Sequence, residues 1–197
     1  MLVRLQRTPN PGNRCAMVLK FRPNEEKALE ALVFVASQWP RITPFYVSKV
    51  MYFADKEHMN RYGRPITADI YIAMQNGPVP SRIRDYIEGN YLFFQNSDQV
   101  AGAISVDRAP RYSEISAVRE PRMEVFSESD LECLRNAIAL CNGKTFWELS
   151  DLTHEDSAWA ATEENGHIDY ELLIDNDNPF KEELLRQAHE YAEFGVL

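Results

Sequence analysis

Two proline-punctuated helices between Asn24 and Gly63 constrain this chain more than any other stretch of it. Leu29, Leu32, Val33 and Ala36 recur at i, i+3, i+4 and i+7, the spacing that lines one face of a buried α-helix. Asn24 stands where an N-cap belongs, and Glu25 and Glu26 fall in the first turn, where the helix dipole favours negative charge. The run ends near Gln38 at Trp39-Pro40, because a residue before proline is pushed out of helical geometry. Thr43-Pro44 opens the second helix, with threonine as cap and proline at the first helical position. Val47, Val50, Met51, Ala54 and His58 form its stripe, and Gly63 is its natural stop.

Farther along, the period changes. Ile66, Thr67, Ile70, Tyr71 and Ile72 are strand formers, followed by Asn76-Gly77-Pro78-Val79-Pro80 as a compact turn. Ile83, Tyr86 and Ile87 predict a short helix ending near Gly89. Tyr91–Gln95, Ile104–Val106 and Tyr112–Val118 read as short strands. Ser127-Glu128-Ser129-Asp130 is close to a capping box for a helix carrying Leu131, Leu134, Ile138 and Cys141. Thr145-Phe146-Trp147-Glu148 is a full box for a helix to about Leu152, Thr153 caps another, and Asn178-Pro179 opens the last. The expected fold is α+β and predominantly α-helical, about seven helices around a small antiparallel sheet. Residues 24–197 form its single domain. Residues 1–23, with Pro9, Pro11 and Gly12 and no sustained period, read as a flexible basic leader.

Charge narrows the partners. The net charge is −9 and the pI about 5.0, which argues against nucleic acid, since neutralising phosphates requires a surplus of bases. Arg4, Arg7, Arg14, Lys20 and Arg22 face no acid within residues 1–24, so about −14 falls on the rest of the chain. Such a body attracts a basic protein. The apolar stretch Ala28–Trp39 is interrupted by Glu30 and too short to span a bilayer, and no signal-peptide pattern precedes it. Cys133 and Cys141 would lie roughly 12 Å apart on one helix, beyond bridging distance. A cytoplasmic, reducing home is therefore expected.

Chemistry has two candidate centres. Asp55 and His58 are three apart, so their side chains can meet, with Tyr52 and Tyr62 on adjoining rows. Such a pair orients acid–base and metal sites, and equally satisfies a half-buried histidine beside a core, which is the favoured reading. His154-Glu155-Asp156 sits at a helix start, one turn before Trp159. If the helices pack together, Asp55, His58, His154 and Asp156 would make a mixed nitrogen–oxygen metal site. Capping by Asp156 and a packed His154 are favoured over it. There is no nucleophile elbow, no phosphate loop and no paired Cys-x-x-Cys. No motif proposes an enzyme, a metal or a cofactor.

One stretch carries a longer signature. Lys49-Val50-Met51-Tyr52-Phe53-Ala54-Asp55, His58, Tyr62-Gly63-Arg64-Pro65-Ile66-Thr67, Tyr71 and Gly77-Pro78-Val79-Pro80, with Leu149-Ser150, His154 and Trp159 later, resemble the Panacea domain of SocA-like, phage-associated antitoxins. The resemblance covers about Asn24 to Ala160. It implies a non-enzymatic antitoxin that neutralises a cognate protein toxin, encoded next door, by direct binding. One branch of the family implies instead an adaptor that delivers its partner to a cytoplasmic protease. Lys49, Tyr52, Asp55, His58, Gly63, Pro65, Thr67, Tyr71, Gly77, Pro78, His154 and Trp159 are the motif positions. They read as scaffold, because one fold serving many toxins needs variable contact surfaces. Toxin-contacting residues and homo-oligomeric state are left open. A metal-assisted hydrolase using Asp55, His58 and His154 is the remaining alternative.

Overall fold

Asn24 acts as the cap its position predicts. Its Oδ1 accepts the Lys27 amide at 3.0 Å, and α1 (Glu25–Gln38) follows. The computed structural model describes residues 19–90, 97–110 and 112–195. In it α2 (Pro44–Tyr62) starts on Pro44 and ends at Gly63. The order continues β1 (Tyr71–Met74), β2 (Gly77–Pro80), α3 (Ser81–Glu88), α4 (Ser97–Ala101), β3 (Ile104–Arg108), β4 (Ser113–Ala117), α5 (Glu128–Cys141), α6 (Phe146–His154), α7 (Ser157–Ala160) and α8 (Lys181–Phe194). The fold is mostly helical with small antiparallel sheets, in line with the sequence. The five residues of α4 are too few to show a period. Among the described residues no helix is long and apolar enough to cross a membrane.

Helix α2 lies between two apolar clusters. Val47, Val50, Met51 and Ala54 face the first, with Leu32 of α1, Ile83 of α3, Ile115 of β4 and Leu134 of α5. Tyr52 and Met59 face the second, with Tyr71, Tyr170, Leu173 and Leu184. A helix enclosed on two sides must satisfy its polar side chains internally, because an unpaired buried polar group costs about 1–3 kcal/mol. It does: among the described residues every buried side-chain nitrogen and oxygen has a hydrogen-bond partner.

The β structure is divided between two hairpins, β1–β2 and β3–β4. Gly77–Pro80, expected as a turn, is itself a strand, paired Met74↔Gly77 through Tyr71↔Pro80. Its prolines are tolerated for a definite reason. Pro78 and Pro80 stand opposite Ala73 and Tyr71, whose main-chain groups bond outward to residues 165–168 instead. The prolines therefore occupy non-hydrogen-bonded sites where no N–H is needed. On the other hairpin the Ile115 amide donates to Ile42 O, tying β4 to the α1–α2 connection.

Four local expectations shift. Residues 66–70 have strand formers yet make no strand. Asp55 takes the Ile66 amide, Asp69 takes the Ile70 amide, and Ala68 has φ +54. Thr153 does not cap a helix. It lies inside α6, its hydroxyl turned back on Leu149 O and Ser150 O, and Asp156 caps α7. The last helix begins at Lys181, with Asn178 and Pro179 in the preceding turn. Leu19 and Phe21, placed in the leader by sequence, are buried in the second cluster, Phe21 edge-on to Tyr170 at 5.2 Å. The strand expected at Tyr91–Gln95, and most of the leader, fall outside the described residues.

Candidate functional site

Asp55 and His58 share α2 but not each other. The carboxylate of Asp55, 0% exposed, accepts from the Ile66 amide at 2.6 Å, the Tyr71 hydroxyl at 2.8 Å and Thr67 Oγ1 at 3.3 Å. It has no cationic partner among the described residues, and burial pushes its pKa up to about 6, against the pull of those donors. Asp69 is a second acid of this kind. It accepts the Arg82 and Ile83 amides at 2.9 and 3.0 Å, capping α3 from outside because Pro80 offers no side-chain acceptor. Burial pushes Asp69 up to about 6 as well.

His58 turns toward α5. Its Nδ1 lies 2.8 Å from Arg64 O, which fixes the Nδ1–H tautomer, since a carbonyl can only accept. Nε2 lies 3.0 Å from Ser129 Oγ and 3.2 Å from Asp130 Oδ1. Burial draws its pKa down to about 4, with the Arg64 and Lys27 charges adding to that. The neutral ring therefore accepts from the Ser129 hydroxyl at neutral pH. Asp130 is the anion here, fully buried, with Lys27 Nζ at 2.7 Å, Arg64 at 3.1 Å and the Ser127 amide at 2.9 Å. Those cations and donors hold it below the usual carboxylate range despite burial. Asp130 joins α1, α2 and α5, and the capping box at Ser127 is complete in both directions.

The other motif residues converge on the β1–β2 tip. Lys49 Nζ donates to Asn76 O, His154 Nε2 lies 2.9 Å from Gln75 O, and Trp159 Nε1 donates to Met74 O at 3.0 Å. Three consecutive carbonyls are thereby taken up by side chains from α2, α6 and α7. The His154 and Trp159 rings stack at 4.2 Å. Gly77 has φ +98, and a Cβ there would collide with Lys49 Nζ and Thr153 Oγ1; only glycine allows both the turn and the close approach. Lys49 sits 5.0 Å over the Phe45 ring, and burial draws its pKa down to about 7. Gly63 has φ +63, and a Cβ would meet Leu184 O of α8 at 2.8 Å. Pro65 and Pro78 are buried beside these contacts.

Tyr52 and Asp156 complete the frame. The Tyr52 hydroxyl donates to Asp156 Oδ1 at 2.8 Å, and Lys56 bridges Asp156 and Asp175 at 2.5 and 2.8 Å. Asp55, His58, His154 and Asp156 thus have separate partners, and the four-residue metal site considered from sequence is not assembled. Among the described residues, no group of three or more His, Cys, Asp or Glu side chains is placed to hold a metal. Sequence reading assigned no role to Lys27 and Asp69, and gave Asp130 its place in the capping box without its ion pairs to Lys27 and Arg64. The signal for Lys27 was a charge inside the first helix pattern. Glu30, in the same helix, is buried and holds Arg119 and Arg122 at 2.5 and 3.0 Å.

Comparison with protein families gives a match to the family described as antitoxin SocA-like, Panacea domain, over residues 47–160. It begins at Val47 inside α2, later than the Asn24 boundary expected from sequence, and ends with α7. Comparison with curated proteins and with solved structures gives no match. The matched span contains every residue that grips the β1–β2 tip and every donor around Asp55, and it exceeds half of the chain. On that span, the chain belongs to the SocA-like Panacea domain family.

Proposed function

We propose that this protein is an antitoxin that neutralises a cognate protein toxin by binding it, without catalysis of its own. The observation that carries the reading is the family match across residues 47–160, together with how its motif side chains are engaged. Asp55, His58, Lys49, His154 and Trp159 each hold a neighbouring segment of this chain. A frame of this kind, bonded inward, leaves the outer surface free to be shaped for a partner. The acidic net charge favours a basic toxin, speeding encounter through complementary fields.

The test is co-expression with the adjacent gene. Growth arrest by the neighbouring protein alone, relieved by this chain in a stoichiometric complex, is the expected result. A harmless neighbour, or rescue with no complex, overturns the reading. Rescue accompanied by a fall in toxin abundance would replace simple inhibition with delivery to a protease.

A further inference from the structure

Ion pairing in this protein is uneven along the chain. On α8 Arg186 reaches Glu183 and Glu190, on α3 Arg84 reaches Glu88, and on α2 Arg61 reaches Glu57 and Glu132. Residues 142–166 hold six acids and one base, Lys144. Asp156 is the one acid among them that is ion-paired among the described residues. Glu148, Asp151 and Glu155 are exposed, and the capping bonds from Thr145 hold the Glu148 carboxyl below its usual range, so it stays charged.

From the same helix stands Trp147, 72% exposed. Its ring is backed by an aromatic ladder rather than left loose. It meets Phe146 edge-on at 5.1 Å, Phe146 packs on Phe45 at 4.3 Å, and Phe45 meets Tyr46 at 5.4 Å. Helical spacing places Asp151 one turn beyond Trp147 and Glu155 one turn beyond that, on the same side. A large, pre-positioned aromatic loses little freedom when covered, which is why tryptophan dominates binding hot spots.

We propose that this face of α6 is a protein-docking surface for a basic segment, one that lays an arginine over the Trp147 indole and against the Asp151 and Glu155 carboxylates. Charge complementarity selects the occupant. Unpaired carboxylates repel a nucleic acid, an anionic membrane and a second copy of the same face, and attract a cationic chain. Arginine fits better than lysine because its planar guanidinium stacks on the indole and forks onto carboxylates. The proposal rests on the neutralisation reading only for the identity of the natural partner.

A defined probe tests the face directly. A 20-residue peptide with arginine at every fourth position, and its lysine twin, are titrated into the full chain at low and physiological salt. The arginine peptide is expected to bind, to shift the Trp147 indole N–H resonance, and to bind at least threefold more tightly than the lysine twin. Trp147→Ala should weaken it at least tenfold, about 1.4 kcal/mol, and Asp151→Lys with Glu155→Lys should abolish it. Glu183→Lys with Glu190→Lys, on α8, should change affinity by less than twofold. Circular dichroism melts confirm that all variants are folded. Equal affinity for Trp147→Ala overturns the proposal, leaving only diffuse attraction to an acidic body. So does a gain in peptide affinity on removing residues 1–18, which makes the chain's own leader the occupant, or a dimer that depends on Trp147. The adjacent-gene protein separates the two claims. A complex indifferent to the Trp147 and Asp151/Glu155 substitutions sinks the face and keeps neutralisation. A Trp147-dependent peptide complex beside a harmless, non-binding neighbour sinks neutralisation and keeps the face.

Discussion

Asp55 and Asp130 are both fully buried around α2, and they are held in opposite ways. Asp55 faces two hydroxyls and a backbone amide and shares no ion pair; Asp130 faces Lys27, Arg64 and the His58 ring. Neutral donors stabilise a carboxylate without fixing its charge, so burial raises the Asp55 pKa. Cations fix the charge, so the Asp130 pKa falls although burial opposes it. The difference teaches what each acid is for. Asp55 takes up the Ile66 amide and ties the irregular 66–70 segment and the start of β1 to α2, whereas Asp130 makes three helices depend on one charge.

Removing Asp130 should have the largest effect. Asp130→Ala leaves the buried Lys27 and the half-buried Arg64 without their anion, and breaking one partner of a buried pair costs about 3–5 kcal/mol. Urea unfolding measures it, and a loss below about 1 kcal/mol would break the comparison. His58→Ala is next. It takes the imidazole donor from Arg64 O, leaves the Ser129 hydroxyl with Ser127 Oγ as its partner, and opens a gap beside Tyr62, for about 1–3 kcal/mol. Neutralisation should then decline only with the folded fraction, and a stable but inactive His58→Ala protein would return His58 to a functional role. Asp55→Asn should cost less, about 1–2 kcal/mol, because an amide keeps one acceptor and the Tyr71 hydroxyl can rotate to accept. A cost equal to that of Asp130→Ala would erase the distinction between the two centres.

The finest contrast lies in pH dependence. Asp55 has a raised folded pKa, so its contribution is fully present below about pH 4 and is lost as pH rises through about 6. His58, with a folded pKa drawn down to about 4, works the other way: its contribution is full above about 6.5 and fades as pH falls through 4. Asp130, also lowered, loses its contribution on acidification. The stability difference between wild type and Asp55→Asn, followed by urea titration from pH 4 to 7, should therefore shift against wild type as pH rises. A flat difference would mean that Asp55 keeps an unshifted pKa.

Most of the helices were legible because their signals are local. Asn24, Pro44, Gly63 and the Ser127 and Thr145 boxes each act within a few residues of their own position. The polar centres were not, because spacing on one helix fixes a side chain's direction and says nothing of what arrives there. Asp55 and His58 had the right spacing to meet, yet Thr67 and Tyr71 came to one and α5 to the other. Residues 66–70 misled for a related reason: β propensity describes a residue's fit to a ladder, and two aspartates had taken the amides a ladder needs. The motif named its residues without saying what each of them holds. His154 and Trp159 find their carbonyls 79 and 85 residues away.

The grip on the β1–β2 tip has a consequence for how the protein can change. Lys49, His154 and Trp159 hold main-chain oxygens, and a main-chain oxygen is the same whatever residue carries it. Gln75 and Asn76, both exposed, are therefore anchored without being read. Their side chains are open to replacement while the loop keeps its shape, so the tip can acquire new chemistry by single substitutions. Variation is licensed there by the rigidity beneath it.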